Sequence, residues 1–236
     1  MFDMNDISIR FLTKGQAGFE REDSLSQEER HEASQYGSQA RKSEYIRSRN
    51  LFKAELGQNH SFHKIASGLI NWPQGIVASL SHKDGQIAIA HGLQRNFSGI
   101  GVDLELVRKV GLHLMEKVCT ENEITQFFPE GIDADPRKLA TIFSLKEAIY
   151  KAIYPLGRIQ FWFHDAEVCA WDETSGSATL KLLMDTSHQT PRGSTINAKV
   201  FHHSLEGEAF VLTVAALPSK SWTRPLDQTI FRPPSM

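Results

Sequence analysis

Asp103 and Glu105 stand two residues apart in Gly101-Val102-Asp103-Leu104-Glu105, and Glu147 and Lys151 stand four apart in Phe143-Ser144-Leu145-Lys146-Glu147-Ala148-Ile149-Tyr150-Lys151-Ala152. Residues two apart on a strand leave the same face, and residues four apart on a helix share one. If that strand and that helix face each other, three carboxylates converge beside one lysine. Clustered anions repel unless a cation joins them. Carboxylate oxygens with open water positions suit Mg²⁺, which bridges to substrate phosphates more often than it fills an all-protein cage. Lys151 would then be a point charge for a phosphate oxygen. The plainer alternatives are a surface Glu–Lys pair contributing about 0.3–0.5 kcal/mol and a solvated strand end.

Other chemistry is weakly signalled. Ser61-Phe62-His63-Lys64 has the Ser-x-x-Lys spacing of penicillin-recognising hydrolases, but no Ser-Asp-Asn or Lys-Thr-Gly partner follows. His60 with His63, and His202 with His203, lack a Cys or Glu at metal-ligand spacing. No Gly-x-Gly-x-x-Gly or Walker loop is present, so a nucleotide would have to be held by basic side chains and scattered amides.

The elements that must carry these residues are legible from periodicity. Residues 25–36 and 41–56 favour helix, the second carrying Arg41, Lys42, Arg47, Arg49 and Lys53 on its polar side. Residues 76–81 and 86–93 form expected strands around Asp84-Gly85, a strong hairpin-turn signal, and Ser98 to Val107 is a third strand. Helical pieces are expected near 112–128. Asp135 as N-cap and Pro136 in the first turn open a strongly apolar helix ending at Tyr154-Pro155. Such a helix lies deep in a structure. Four strand-like segments follow at 161–171, 178–184, 195–202 and 209–217. Helices beside hairpin-connected strands predict an α+β fold. Each half has a helix leading into strands, so residues 1–97 and 98–217 are expected as two similar subdomains with a tail at 218–236.

The 236 residues are 40% hydrophobic and 23% charged with net charge −2, enough for a sizeable core and too neutral for nucleic-acid binding through bulk charge. Two cysteines make no disulfide framework, which points to a reduced cytoplasmic chain. Neither a signal peptide nor a membrane span is expected.

The pairing of Gly-Val-Asp with Phe-Ser-Leu-Lys-Glu-Ala-Ile-Tyr-Lys, Asp103 and Glu147 being 44 positions apart, resembles the paired signature of phosphopantetheinyl transferases. The likeness is to the larger single-chain type that includes the surfactin-synthetase and enterobactin-synthase enzymes, and it extends over roughly residues 20–217. It implies a pseudo-dimer of two similar halves with coenzyme A in the cleft between them. It also implies transfer of the phosphopantetheine arm to a serine of an apo acyl or peptidyl carrier protein, with release of 3′,5′-ADP. By the same resemblance, Asp103, Glu105 and Glu147 hold magnesium, with manganese as the substitute, and Lys151 touches the phosphates. Glu123 matches a further carboxylate near the metal, and either Glu147 or Glu123 is the base. Ser81 and His82, with Lys83 beside them, match a Ser-His element that meets the phosphates of coenzyme A. Arg41, Arg49 and Lys53 match a basic helix for its nucleotide end.

Lys146 lies about 100° around the helix from Glu147, so it is expected to reach another part of coenzyme A or the neighbouring backbone. A monomer acting without nucleic acid or membrane is implied. One departure is that Asn71-Trp72-Pro73-Gln74-Gly75 replaces a Gly-Lys-Pro segment whose lysine contacts the nucleotide in many relatives. The alternatives from the residues alone are a metal-dependent nucleotide pyrophosphohydrolase and a non-catalytic coenzyme A-binding protein.

Overall fold

The computed structural model describes residues 6–129, 135–158, 160–185 and 191–219. The chain folds as α+β with two antiparallel sheets. The first holds β1 (Ser8–Leu12), β2 (Ile76–Lys83) and β3 (Gln86–Leu93) in the order β1-β3-β2, with α1 (Gln27–Ser34) and α2 (Gln39–Leu56) between β1 and β2 in sequence. The second holds β4 (Phe97–Leu106), β5 (Ala166–Trp171), β6 (Ser177–Leu182), β7 (Thr195–Leu205) and β8 (Glu208–Pro218) in the order β4-β8-β7-β6-β5. Between β4 and β5 come α3 (Met115–Val118), α4 (Glu121–Phe127) and α5 (Pro136–Gly157).

Most expected elements form, and the differences have local causes. Strand β1 was not anticipated: its five residues are too few for alternation to stand out, and β3 supplies the pairing that makes them a strand. Helix α5 runs past Pro155 to Gly157, because the proline falls in the last turn, and Arg158 closes it in the left-handed region (φ 52°). Asp84 and Gly85 both have positive φ (55° and 81°), as a two-residue hairpin turn requires. The expected strand at 161–171 opens instead with a 3₁₀ turn at Phe163–Asp165. Beyond Ser219 the expected tail lies outside the described residues.

The second sheet lies between α5 and the first sheet. Even-numbered residues of β4 (Ile100, Val102, Leu104, Leu106) and β8 (Leu212, Val214, Ala216) share one apolar cluster with Ala88 and Ala90 of β3. The opposite face of β8, with Val211 and Ala215, packs with Leu139, Ile142, Leu145, Ala148, Ile149 and Ala152 of α5. Odd-numbered residues of β4 therefore face α5, and two of them are Gly99 and Gly101. A Cβ on Gly101 would lie 1.8 Å from the Ala148 carbonyl oxygen, and one on Gly99 would lie 2.2 Å from that of Ala152. Only glycine admits a helix this close. The next odd residues are Asp103 and Glu105, so the alternation that buries β4 also turns both carboxylates toward α5.

The free edge of β4 meets β2. Ser79 Oγ accepts the Val102 N–H (3.1 Å) and Ser81 Oγ accepts the Leu104 N–H (3.2 Å). Two hydroxyls thus close an edge that would otherwise leave buried donors unpaired. Gly101→Ala should lower the unfolding free energy by about 3 kcal/mol or more, since a rigid helix backbone must move. Ser79→Ala should cost about 1 kcal/mol. Urea unfolding of the two variants checks the order.

Candidate active site

Strands β2 and β4 and helix α5 bring together three of the sequence-predicted carboxylates, Asp103, Glu105 and Glu147, with Lys83 and Lys151. Lys151 Nζ donates to Asp103 Oδ1 (2.6 Å) and to Ser81 Oγ (3.1 Å), and Ser81 Oγ donates to Asp103 Oδ1 (3.0 Å). Lys83, the last residue of β2, pairs with Glu105 Oε2 at 2.5 Å. Asp103 Oδ2 is buried without a hydrogen-bond partner. Glu147 is partly buried, and no hydrogen bond to it is found among the described residues. Ser144, one turn before Glu147, is held to β8 by hydroxyl bonding to Thr213 (2.8 Å), whose Cα partner across the ladder is Asp103.

The electrostatics follow from this crowding. Burial raises the Glu147 carboxyl above its ordinary range, Asp103 and Glu105 add to the rise, and Lys151 and Lys83 oppose it. Burial also raises Glu105, helped by Asp103 and opposed by Lys83 and Lys151. As the side chains stand, no three His, Cys, Asp or Glu residues among those described form a ready metal-binding group. Lys151 and Ser81 hold Asp103 Oδ1, and Lys83 pairs with Glu105 Oε2, instead.

The Ser-His element adjoins this group. His82 Nδ1 lies 3.3 Å from Glu44 Oε2 on α2. Burial lowers the His82 pKa, Glu44 raises it, and Arg41, Lys151 and Arg49 lower it further. Those three cations therefore act on one imidazole, and α2, β2 and α5 share a positive neighbourhood.

Within α2 the expected basic residues divide. Arg41 is exposed and lies 3.7 Å from Glu44. Arg49 and Lys53 are buried: Arg49 lies over the Tyr45 ring at 4.0 Å and 3.7 Å from Glu32, and Lys53 pairs with Glu29 at 3.0 Å and bonds the His60 carbonyl. Their charges are met by α1. The hint in the sequence was Glu29 and Glu32 at one-turn spacing, opposite two bases at one-turn spacing. Glu44 is absent from the sequence expectations, and Arg47, expected on the polar side of the helix, is buried instead, where its guanidinium holds the Gly85 and Thr13 carbonyls and so braces the hairpin.

Glu123 is not brought to the carboxylate group. It is fully buried at the start of α4, where its carboxylate accepts the Thr120 N–H (2.7 Å), the Val168 N–H (2.6 Å) and the Lys146 ammonium (2.6 Å). Lys146 also donates to the Val118 carbonyl (2.7 Å). Burial lowers the Lys146 pKa and Glu123 works against that shift. Beside Glu147 opens a cavity of about 280 Å³ bordered by Lys146, Tyr150 and the stretch Gln160 to Phe163, with Trp162 standing 77% exposed.

The 4′-phosphopantetheinyl transferase superfamily model matches residues 99–215, the span from the close-packed glycines through β8. The chain is 30% identical over 173 residues to the 4′-phosphopantetheinyl transferase Npt of Nocardia iowensis, covering 70% of this chain and 76% of that protein. The chain belongs to the 4′-phosphopantetheinyl transferase superfamily. It is also 30% identical over 122 residues to the transferase Svp of Streptomyces mobaraensis, covering 50% of this chain and 48% of that one. Among solved structures, the Thermotoga maritima holo-[acyl-carrier-protein] synthase is 23% identical over 51% of this chain and 64% of its own (TM-score 0.38). A Bacillus anthracis holo-(acyl-carrier-protein) synthase in complex with CoA (3′,5′-ADP) is 23% identical over 53% of this chain and 99% of its own (TM-score 0.35). No described helix is long and apolar enough to cross a membrane.

The two raised carboxyls give a signed pH effect. A carboxyl whose folded pKa exceeds its unfolded one binds more protons when folded. Stability therefore falls as pH rises from the ordinary value of 4.5 through the raised one. Glu147→Gln should raise the melting temperature of the metal-free protein at pH 7.5, by about 2–4 °C for each kcal/mol relieved, and the gain should vanish near pH 4. Asp103→Asn should lower it at pH 7.5, because Lys151 and Ser81 lose a charged acceptor. Thermal scans across pH test both signs.

Proposed function

We propose that the protein transfers the phosphopantetheine arm of coenzyme A to a serine of an apo acyl or peptidyl carrier protein, with magnesium, releasing 3′,5′-ADP. The observation that carries this is the meeting of Asp103, Glu105 and Glu147 with Lys83 and Lys151 on facing elements. A hard divalent cation fits the donor set: all donors are carboxylate oxygens, Asp103 Oδ2 is buried and unpartnered, and burial together with the neighbouring carboxylates raises two of the three carboxyls. Asp103, Glu105 and Glu147 would hold it. When bound, it neutralises charge on the pyrophosphate.

The residues of the chain divide the remaining work. Lys151 and Lys83, which now neutralise carboxylates, can turn to phosphate oxygens. Lys151 then stabilises charge on the departing 3′,5′-ADP. Arg41 extends the positive surface for the nucleotide end, and His82 offers it a hydrogen-bonding imidazole. Arg49 acts on the same neighbourhood from within, and Lys53 supports α2 through Glu29. The cavity beside Glu147 suits the pantetheine arm, whose amides and chain match its mixture of Gln160 and aromatic rings. In the reaction the serine Oγ forms a bond to the phosphorus that carries pantetheine, and the bond from that phosphorus to the oxygen of 3′,5′-ADP breaks. Glu147 takes the serine proton, since Glu123 is already saturated with donors and Glu147 is not.

The deciding experiment incubates the protein with coenzyme A, Mg²⁺ and a panel of apo carrier proteins, and weighs the products. A carrier heavier by one phosphopantetheine is expected. Hydrolysis of coenzyme A by water with every carrier unchanged would indicate a pyrophosphohydrolase, and binding without turnover would indicate a non-catalytic protein. Glu147→Gln should reduce transfer by about 100-fold or more. Lys151→Ala should slow single-turnover transfer more than it weakens coenzyme A binding, because its charge matters most as the leaving phosphate gains charge.

A further inference from the structure

We propose that Lys146 and Glu123 are positioning residues: a buried ion pair that sets the rotation of α5, and with it the placement of Glu147, without either charged group contacting coenzyme A. The inference deepens the reading above and rests on it in taking Glu147 as the base.

The pair is closed to outside partners. Glu123 is 0% exposed and Lys146 1%. The carboxylate receives three donors, and the ammonium gives to Glu123 and to the Val118 carbonyl. Lys146 borders the same cavity as Glu147, yet its charge is directed away into the protein. One residue pair thereby ties the last residue of α3, the first turn of α4, strand β5 and the middle of α5.

Stability alone is a poor reason for such a pair, because removing two charges from water costs as much as their attraction returns, and an apolar pair of similar volume often serves as well. Position is a better reason. Glu147 follows Lys146 directly and has no hydrogen bond to orient it among the described residues, so the rotation of the helix decides where its carboxylate lies. That rotation is held on one side by Gly101 against Ala148 and by Ser144 on Thr213. Residue 146 projects about 100° away from 147. The ion pair therefore holds the helix from a second direction, and two directions are needed to stop a cylinder from rolling.

The test compares the wild type with Glu123→Gln/Lys146→Met, which removes both charges together, and with Glu123→Gln alone, whose amide can still cap α4. The double variant should melt at or above the wild-type temperature and bind coenzyme A within about twofold of it, while single-turnover transfer falls about 10- to 100-fold. Crystal structures of the two proteins should show the Glu147 carboxylate displaced from its wild-type distance to Asp103. A double variant that transfers at the wild-type rate, or whose Glu147 has not moved, overturns the proposal. So does weakened coenzyme A binding with an unchanged chemical rate, which would make Lys146 a ligand contact. If the double variant fails to fold, Glu123→Gln decides by the same two readouts. Absence of transfer by the wild type would sink the functional reading, and the crystallographic comparison would still judge the positioning.

Discussion

The close approach of α5 to the backbone of β4 is the constraint on which the rest depends. With Gly99 and Gly101 beneath Ala152 and Ala148, the helix axis comes nearer to the strand than any side chain on those two positions would allow. The candidate-site residues lie beside that contact. The alternation of β4 continues the glycine face as Asp103 and Glu105, and on α5 Glu147 and Lys151 each precede one of the two alanines by a single residue. Had the contact been made through larger residues, the carboxylates and the lysine would stand apart, and none of their mutual effects on charge would follow.

Bringing like charges together is unfavourable, and the fold counters it with cations drawn from both halves. Lys151 comes from α5 and Lys83 from the first sheet, so the carboxylates of β4 are neutralised by one residue on each side. Ser81 joins the two sides, since its hydroxyl meets β4 backbone, Asp103 and Lys151 at once. The same lysines are suited to phosphate. A ligand bearing a pyrophosphate and a divalent cation could exchange for the present ion pairs with every charge still met.

The N-terminal half uses its bases differently from what their number suggests. Arg49 and Lys53 hold α2 to α1 through Glu32 and Glu29, and Arg47 holds the hairpin. Arg41 and His82 remain nearer the surface, with Glu44 between them. The helix is thus both a bracket and a charged wall, and its buried Arg49 still influences His82 through space.

The sequence by itself determined most of the elements, though not the short strand β1 that β3 makes possible, and it determined the chemistry-bearing pairs. The two-residue turn at Asp84-Gly85, the capped apolar helix from Asp135 and the alternation around Asp103 are local patterns, readable because their causes lie within a few residues. The same holds for the i, i+2 and i, i+4 spacings that put Asp103 with Glu105 and Glu147 with Lys151. Only the tertiary structure decided how the remaining charges are used. Glu123 stands 20 positions after Asp103 and could have joined it. Instead it faces Lys146, because α4 starts against β5 and α5 rather than against β4. Arg49 and Lys53 have the composition of a solvated basic face, and α1 covers them. Burial of a charge depends on which element lies opposite, and that is a property of packing between segments far apart in the chain, which no local spacing records.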